Sequence, residues 1–222
     1  MSVESTVFVV DDDHALRESL AWLLESVRLP VRTFASAQEF LRAFDKKQPG
    51  CLVLDVRMPG MSGLELLDRL TVEEAGLPVI LLTAHADVPM AVRALKTGAV
   101  DFLTKPFHGQ ELLDRIQFAL EKDRQRRAER VHIAALAEAF AALTAREREV
   151  MTLVVAGLSN KEIAGDLGIS TKTVEAHRNK VMEKTKAGSV ADLVRMAIAC
   201  GAALPLPALS RDGRKPAPPK AE

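Results

Sequence analysis

Cysteine is scarce in this 222-residue chain. Cys51 and Cys200 are the only two, and neither sits in a Cys-x-x-Cys or Cys/His spacing. A disulfide framework and a zinc site are therefore excluded as organising features. No apolar run reaches the ~18 residues that a membrane-spanning helix needs. The N-terminus lacks the basic-then-apolar pattern of a signal peptide, so a cytoplasmic protein is expected. There is no net charge either: 30 Lys and Arg balance 30 Asp and Glu. What the chain does have is 48 % hydrophobic and 27 % charged residues, enough apolar mass for packed cores. Its length suits one large or two modest domains.

The zero charge hides an asymmetry. Residues 1–121 carry 12 basic and 18 acidic side chains, residues 122–142 carry 5 and 3, and residues 143–222 carry 13 and 9. An acidic front and a mildly basic back point to two modules with different partners. The expected layout is a domain over 1–121, a linker helix over 122–142, a second domain over 143–204 and a disordered tail over 205–222. That tail holds five of the 11 prolines and four basic residues.

Short apolar runs alternate with helical stretches through the first 120 residues. The runs are Val7–Val10, Val31–Phe34, Leu52–Leu54, Val79–Leu82 and Phe102–Leu103. Between the first two, Ala15, Leu16, Leu20, Leu23, Leu24 and Val27 recur on one helical face. Ser36-x-x-Glu39 is a capping box that opens the second helix. Five strand–helix alternations predict a doubly wound five-stranded parallel sheet covered on both faces, with ligand chemistry at the carboxyl ends of its strands. Residues 107–142 read as one long helix, or a helix with a frayed centre. Leu112, Leu113, Ile116 and Leu120 are placed to pack on the sheet. Lys122–Arg130 loses the apolar stripe a coiled coil would keep, which favours a solvated linker over a docking surface.

The strand ends carry the chemistry. Asp11-Asp12-Asp13 follows the first run, Asp55 ends the third, Thr83 ends the fourth and Lys105-Pro106 follows the fifth. Each alone has a plain reading: Asp13 as a helix cap, Thr83 as a strand residue, Lys105 as a solvated cation. Their conjunction at one sheet edge does not. Carboxylates gathered there repel unless a cation neutralises them. Oxygen-only ligands with room for water suit Mg²⁺. A carboxylate at such a centre is a candidate nucleophile toward a phosphoryl group, with the metal and a lysine stabilising the transferring oxygens.

With these residues in place, the front half resembles the receiver domain of bacterial response regulators. The matching pieces are Val9-Val10-Asp11-Asp12, Leu54-Asp55-Val56-Arg57-Met58-Pro59-Gly60, Leu82-Thr83-Ala84 and Asp101-Phe102-Leu103-Thr104-Lys105-Pro106-Phe107. The resemblance implies a flavodoxin-like fold and a phosphoryl group accepted on Asp55 from a histidine kinase. It implies Mg²⁺ bound directly by Asp12, Asp55 and the backbone carbonyl of Arg57, and mainly through water by Asp11. It also implies that Lys105 pairs with the acyl phosphate while Thr83 and Phe102 act as switch residues. Phe102 has a second reading as plain core. His85, two residues after Thr83, is either a modulator of phosphate lifetime or an ordinary loop histidine. Cys51 is expected as a buried strand residue.

Residues 143–200 show no strand pattern. Thr144-x-x-Glu147, Ser159-x-x-Glu162 and Ser189-x-x-Asp192 are box-like helix starts, and Gly157 and Gly168 are placed as stops. Four helices are predicted, over about 144–156, 160–167, 171–185 and 190–199. The second and third, joined by Gly168-Ile169-Ser170, form a helix-turn-helix pattern. With Val174 and Val181 inward, the opposite face of the third helix presents Lys172, Glu175, Ala176, Asn179, Lys180 and Glu183. Glu175 suits cytosine N4, Asn179 adenine and Ala176 a thymine methyl. Lys172, Lys180, Thr171 and Thr173 suit phosphates. His177 flanks this face, as a packing or phosphate-side residue.

The string Leu143-Thr144-Ala145-Arg146-Glu147-Arg148-Glu149-Val150, then Gly157 to Ala164, then Thr173-Val174-Glu175-Ala176-His177 resembles the LuxR-type DNA-binding domain. Joined to a receiver it resembles the NarL/FixJ family, and its FixJ branch in particular. The resemblance implies base contacts from Glu175, Ala176 and Asn179. It also implies double-stranded DNA bound in the major groove at a two-part site, a homodimer on phosphorylation, and RNA polymerase as a partner. The last helix offers Val190, Leu193, Val194 and Ala197, either to a dimer partner or to the core. Three rivals differ in class. A phosphohydrolase or phosphotransferase would use the Asp11/Asp12/Asp55/Lys105 cluster on external substrate, but residues 143–200 add no catalytic constellation. A nucleotide-binding domain would need a glycine-rich loop where Asp-Asp-Asp stands. A regulator independent of phosphorylation would not need the full acidic set.

Overall fold

The computed structural model describes residues 4–84 and 88–201. The chain divides into two units, at Ala128/Glu129. The first unit alternates β1 (Thr6–Val10), α1 (His14–Ser26), β2 (Val31–Phe34), α2 (Ala37–Ala43), β3 (Gly50–Asp55), α3 (Gly63–Val72), β4 (Val79–Thr83), α4 (Val88–Thr97) and β5 (Asp101–Thr104), and then enters α5 (Gly109–Ala141). The strands form one parallel sheet in the order β2-β1-β3-β4-β5. The expected sheet is thus present, with strands one or two residues longer at some ends than the apolar runs alone suggested.

The three central strands, β1, β3 and β4, are buried on both sides, which is why each reads as a continuous apolar run. Alternate residues feed two cores. Val7, Val9, Cys51 and Val53 face α1 and α5, packing with Leu20, Leu24, Leu112, Ile116 and Ala119. Phe8, Val10, Leu52 and Leu54 face the other way, against Phe40 of α2 and Leu66, Leu67 and Leu70 of α3. Four of the eight phenylalanines gather in this second core. Phe8, Phe34, Phe40 and Phe44 pair edge-on or stacked at centroid distances of 4.9–5.8 Å, geometries in which ring quadrupoles attract.

Helix α5 is unbroken from Gly109 to Ala141. The solvated-linker reading of 122–130 needs correction at two positions. Asp123 is only 2 % exposed, and its carboxylate accepts the Gly50 N–H and the Arg127 Nε–H. Its partner Gly50 lies far back in the sequence, so the apolar pattern of the helix gives no sign of it.

The second unit contains α6 (Ala145–Val155), α7 (Asn160–Leu167), α8 (Thr171–Thr185) and α9 (Val190–Ala199), within one or two residues of the predicted helices. Thr144 and Ser159 make full capping boxes with Glu147 and Glu162. Gly168 closes α7 at φ 64°. The core joins Val150, Val154, Ile163, Val174, Val181 and Leu193. In α9, Leu193 and Ala197 are buried core, while Val190 is exposed. His85 and the tail 205–222 lie outside the described residues.

Candidate functional site

The parallel register brings the carboxyl ends of β1, β3 and β4 level: Val10 pairs with Leu54, and Asp55 with Leu82. Asp11 then follows β1 directly, Asp55 ends β3 and Thr83 ends β4. Lys105 follows β5 and is fixed by its N–H to the Thr83 carbonyl at 2.7 Å. Its ammonium reaches back over the sheet edge, donating to Asp11 Oδ2 at 2.7 Å and to Asp55 Oδ1 at 2.5 Å. Asp11 is 1 % and Asp55 5 % exposed. Their remaining oxygens are satisfied locally. Asp11 Oδ1 accepts the Asp13 N–H at 2.9 Å, and Asp55 Oδ2 accepts the Arg57 N–H at 2.7 Å.

The surrounding loops are shaped to keep Asp55 in place. Val56 donates to the Leu82 carbonyl, and Gly63 donates back to Val56. A Cβ at position 63 would lie 2.1 Å from the Asp55 carbonyl oxygen, so only glycine lets α3 start this close to the acceptor strand. Ser62 and Glu65 form a capping box at that start, a pattern legible in the sequence but not singled out there. Asp13 is a helix cap as expected, accepting from the Ala15 and Leu16 N–H groups.

Electrostatics sharpen the site. Burial pushes the Asp55 carboxyl above the usual carboxylate range, helped by the nearby Asp11 charge and opposed by Lys105. Burial pulls the Lys105 ammonium down, but its two carboxylate partners outweigh this and its pKa ends up raised. One cation thus sits between two buried acids. Thr83 is buried, and Phe102 is half-buried against the α2–α3 side core.

Asp11 and Asp55 meet at the Lys105 ammonium. Asp12, expected as a direct metal ligand, is exposed. Among the described residues no three His, Cys, Asp or Glu side chains are grouped to hold a metal ion. The donor chemistry still fits a hard divalent cation, because Asp11, Asp12, Asp55 and the Arg57 carbonyl offer oxygen alone.

In the second unit, Val174 and Val181 are buried, at 0 % and 1 % exposed. Lys172, Thr173, Glu175, Ala176, Asn179 and Lys180 are exposed, while His177 is half-buried. Six of the seven candidate DNA contacts are thus exposed on α8. Sequence reasoning missed what holds α8 in place. Lys184, in its last turn, donates to Glu147 Oε2 at 2.7 Å and to the Ala142 carbonyl at 3.2 Å. Arg178 donates to Asn160 Oδ1 at 2.6 Å, tying α8 to the start of α7. Glu147, expected only as a cap, is 3 % exposed. Lys184 and the Thr144 N–H together lower its pKa to about 2.

Comparison with known proteins finds a matching family for each half of the chain. Residues 7–117 match the response regulator receiver domain, and residues 141–197 match the bacterial regulatory proteins of the luxR family. Nodulation protein W of Bradyrhizobium diazoefficiens is 48 % identical over 90 % of this chain and 88 % of its own length. The transcriptional regulatory protein FixJ of Azorhizobium caulinodans is 48 % identical over 89 % of this chain and 93 % of its own. Among solved structures, the response regulator StyR superposes with a TM-score of 0.78 at 48 % identity, covering 88 % of this chain and 98 % of that one. Full-length FixJ from B. japonicum gives 0.55 at 42 % identity, over 90 % and 98 %. No described helix is long and apolar enough to cross a membrane. Two matched domains and relatives of this identity over most of the chain place it in the NarL/FixJ family of response regulators, as a phosphorylation-controlled, DNA-binding transcriptional regulator.

Proposed function

We propose that Asp55 is the phosphoryl acceptor and that its donor is the phosphohistidine of a kinase. The observation that carries this reading is the Lys105 ammonium held between Asp55 and Asp11 at the carboxyl edge of the sheet. An Asp55 carboxylate oxygen attacks phosphorus, the P–N bond to the donor breaks, and its electron pair returns to the imidazole. Lys105 then pairs with the phosphoryl oxygens. Asp11, Asp12, Asp55 and the Arg57 carbonyl would hold Mg²⁺. When bound, Mg²⁺ neutralises charge on the transferring group. The domain catalyses only its own phosphoryl gain and loss. Thr83 and Phe102 carry the change away from the pocket.

The output is DNA bound through Glu175, Ala176 and Asn179 at base edges, with Lys172, Thr173, His177 and Lys180 on the flanking backbone. Phosphorylation promotes a homodimer on a two-part site in the major groove, with half-sites about one helical turn apart. RNA polymerase is the partner downstream, and the protein works in the cytoplasm.

The test is intact mass after incubation with acetyl phosphate, for wild type and Asp55→Asn, with and without Mg²⁺. A Mg²⁺-dependent, hydroxylamine-labile adduct on wild type alone is expected. An equal adduct on Asp55→Asn overturns the acceptor assignment.

A further inference from the structure

Four acidic side chains are buried among the described residues: Asp11, Asp55, Asp123 and Glu147. Asp11 and Asp55 belong to the phosphoryl pocket, and Glu147 caps α6 and anchors Lys184. Asp123 has no part in either site. It lies on α5, past the last apolar residue, Leu120, that packs on the sheet.

Its surroundings form a built cluster. Asp123 Oδ2 accepts the Gly50 N–H at 2.9 Å and the Arg127 Nε–H at 2.7 Å. The same guanidinium donates to the Lys47 carbonyl at 2.9 Å and the Gln48 carbonyl at 2.7 Å. Gln48 in turn donates to Thr6 Oγ1 at 3.1 Å, at the start of β1. Three nitrogens of one arginine and one oxygen of one carboxylate thus tie the 123–127 turn to the leading ends of β1 and β3. Gly50 allows the approach. A Cβ there would stand 1.9 Å from the Thr6 carbonyl oxygen, so any other residue would push the strand start away from its neighbour. Asp123 is near enough to help burial hold the Cys51 thiol up in pKa.

Simple packing does not call for this arrangement. An apolar pair of similar size holds a helix on a sheet without the cost of desolvating two charges. A buried ion pair adds a defined register, because only one placement satisfies all its hydrogen bonds. The strand concerned is also the one that carries Asp55. Gly50 and Asp55 are the two ends of β3, separated by about 17 Å at the usual strand rise.

We propose that Asp123 and Arg127 are a positioning pair that latches the outgoing segment of α5 to the receiver, so that a change of state at Asp55 reaches the chain beyond it. With the latch closed, residues 122–127 move with the sheet. With it open, they exchange and fray independently, and the signal stops at the end of the receiver. The proposal rests on the phosphorylation reading above and adds the residues through which it leaves the domain.

The experiment uses the full chain. Hydrogen exchange across residues 119–130 is measured for wild type, Asp123→Asn, Asp123→Ala and Arg127→Lys. Each is then scored for acetyl phosphate labelling, and for affinity to a DNA fragment selected with phosphorylated wild type. Asp123→Ala is expected to speed exchange of this segment roughly tenfold, the scale of one lost buried hydrogen bond. Asp123→Asn keeps an acceptor for Gly50 and should fall between Ala and wild type. Arg127→Lys keeps the charge but not the fork, and should also be intermediate. Labelling and the affinity of the unphosphorylated protein should stay at wild-type values, while the gain in affinity on phosphorylation shrinks in the same order as exchange rises. A merely structural pair would lower both affinities together. Unchanged exchange in Asp123→Ala, or faster exchange with the full gain retained, overturns the latch. If Asp123→Ala fails to fold, Arg127→Lys decides the matter, since that side chain is 28 % exposed. A wild type that takes no label overturns the acceptor reading instead, and the exchange comparison still stands by itself.

Discussion

Asp55 and Lys105 are buried or half-buried and bonded to each other. Glu175, Asn179 and Lys180 stand exposed, and among the described residues their side chains make no hydrogen bond or ion pair. The receiver keeps its working groups inside the fold, where burial tunes them and a cation is needed to hold them together. The DNA-binding unit keeps its proposed contact groups outside, on a helix whose buried face has a different task. The receiver's chemistry and stability therefore share side chains, whereas in the second unit they divide between opposite faces of α8. Replacing a receiver acid disturbs both at once, but recognition and folding in the second unit should separate cleanly.

The strongest way to break that comparison is to attack the buried side. Ile163 is fully buried in a core drawn from few residues. Ile163→Ala is expected to cost the second unit about 2–5 kcal/mol through lost transfer energy and an unfilled cavity. Thermal unfolding should show that unit melting early while acetyl phosphate labelling of the receiver stays intact. Loss of labelling in this variant would mean that the two units do not fold as separate bodies.

The exposed face should answer in the opposite way. Glu175→Ala and Asn179→Ala are each expected to lose about 1–3 kcal/mol of discrimination at one base position, with the melting temperature unmoved. Lys180→Ala should weaken binding to all sequences alike and reduce the salt slope by about one. Binding measured over a salt series, against selected and single-substituted DNA, separates the two classes. A Glu175→Ala variant that melts earlier would place that residue in the fold rather than on the reading face.

These two regions were unequally legible in the sequence. The five parallel strands and the Asp11, Asp55, Thr83 and Lys105 edge followed from short apolar runs ending in polar residues, because a sheet buried on both faces leaves that imprint. The exposed face of α8 followed from the positions of Val174 and Val181. What stayed hidden were the polar contacts between residues far apart in sequence. Asp123 sits in a charge-rich stretch whose periodicity looks solvated, and nothing there reveals that Gly50 lacks an acceptor. Lys184 likewise resembles any other lysine in a helix's last turn until Glu147 is found beneath it. The exposed Asp12 shows the converse limit. Adjacent carboxylates share a strand end, yet Asp11 turns to Lys105 and Asp12 points to solvent, a choice that depends on where the ammonium lies.

The Glu147–Lys184 pair tests the one place where the second unit buries an acid among the described residues. Glu147 titrates at about 2 when folded, against 4.5 ordinarily, first because Lys184 donates to it and then because the Thr144 N–H does. A carboxyl whose folded pKa is depressed binds fewer protons in the native state than in the unfolded one. Its contribution is therefore complete above pH 4.5 and disappears as pH falls toward 2. Between these limits the second unit should lose stability more steeply in wild type than in Lys184→Met, which lacks the main cause of the depression. Urea unfolding followed at several pH values would show the two curves converging at the acid end. Parallel curves would mean that Lys184 serves α5 through the Ala142 carbonyl and not Glu147. The effect is the smallest of the three, since it removes a single ionic contact and leaves the capping box with Thr144 in place. It is also the most direct measure of whether Glu147, the only buried acid among this unit's described residues, acts as the receiver's acids do.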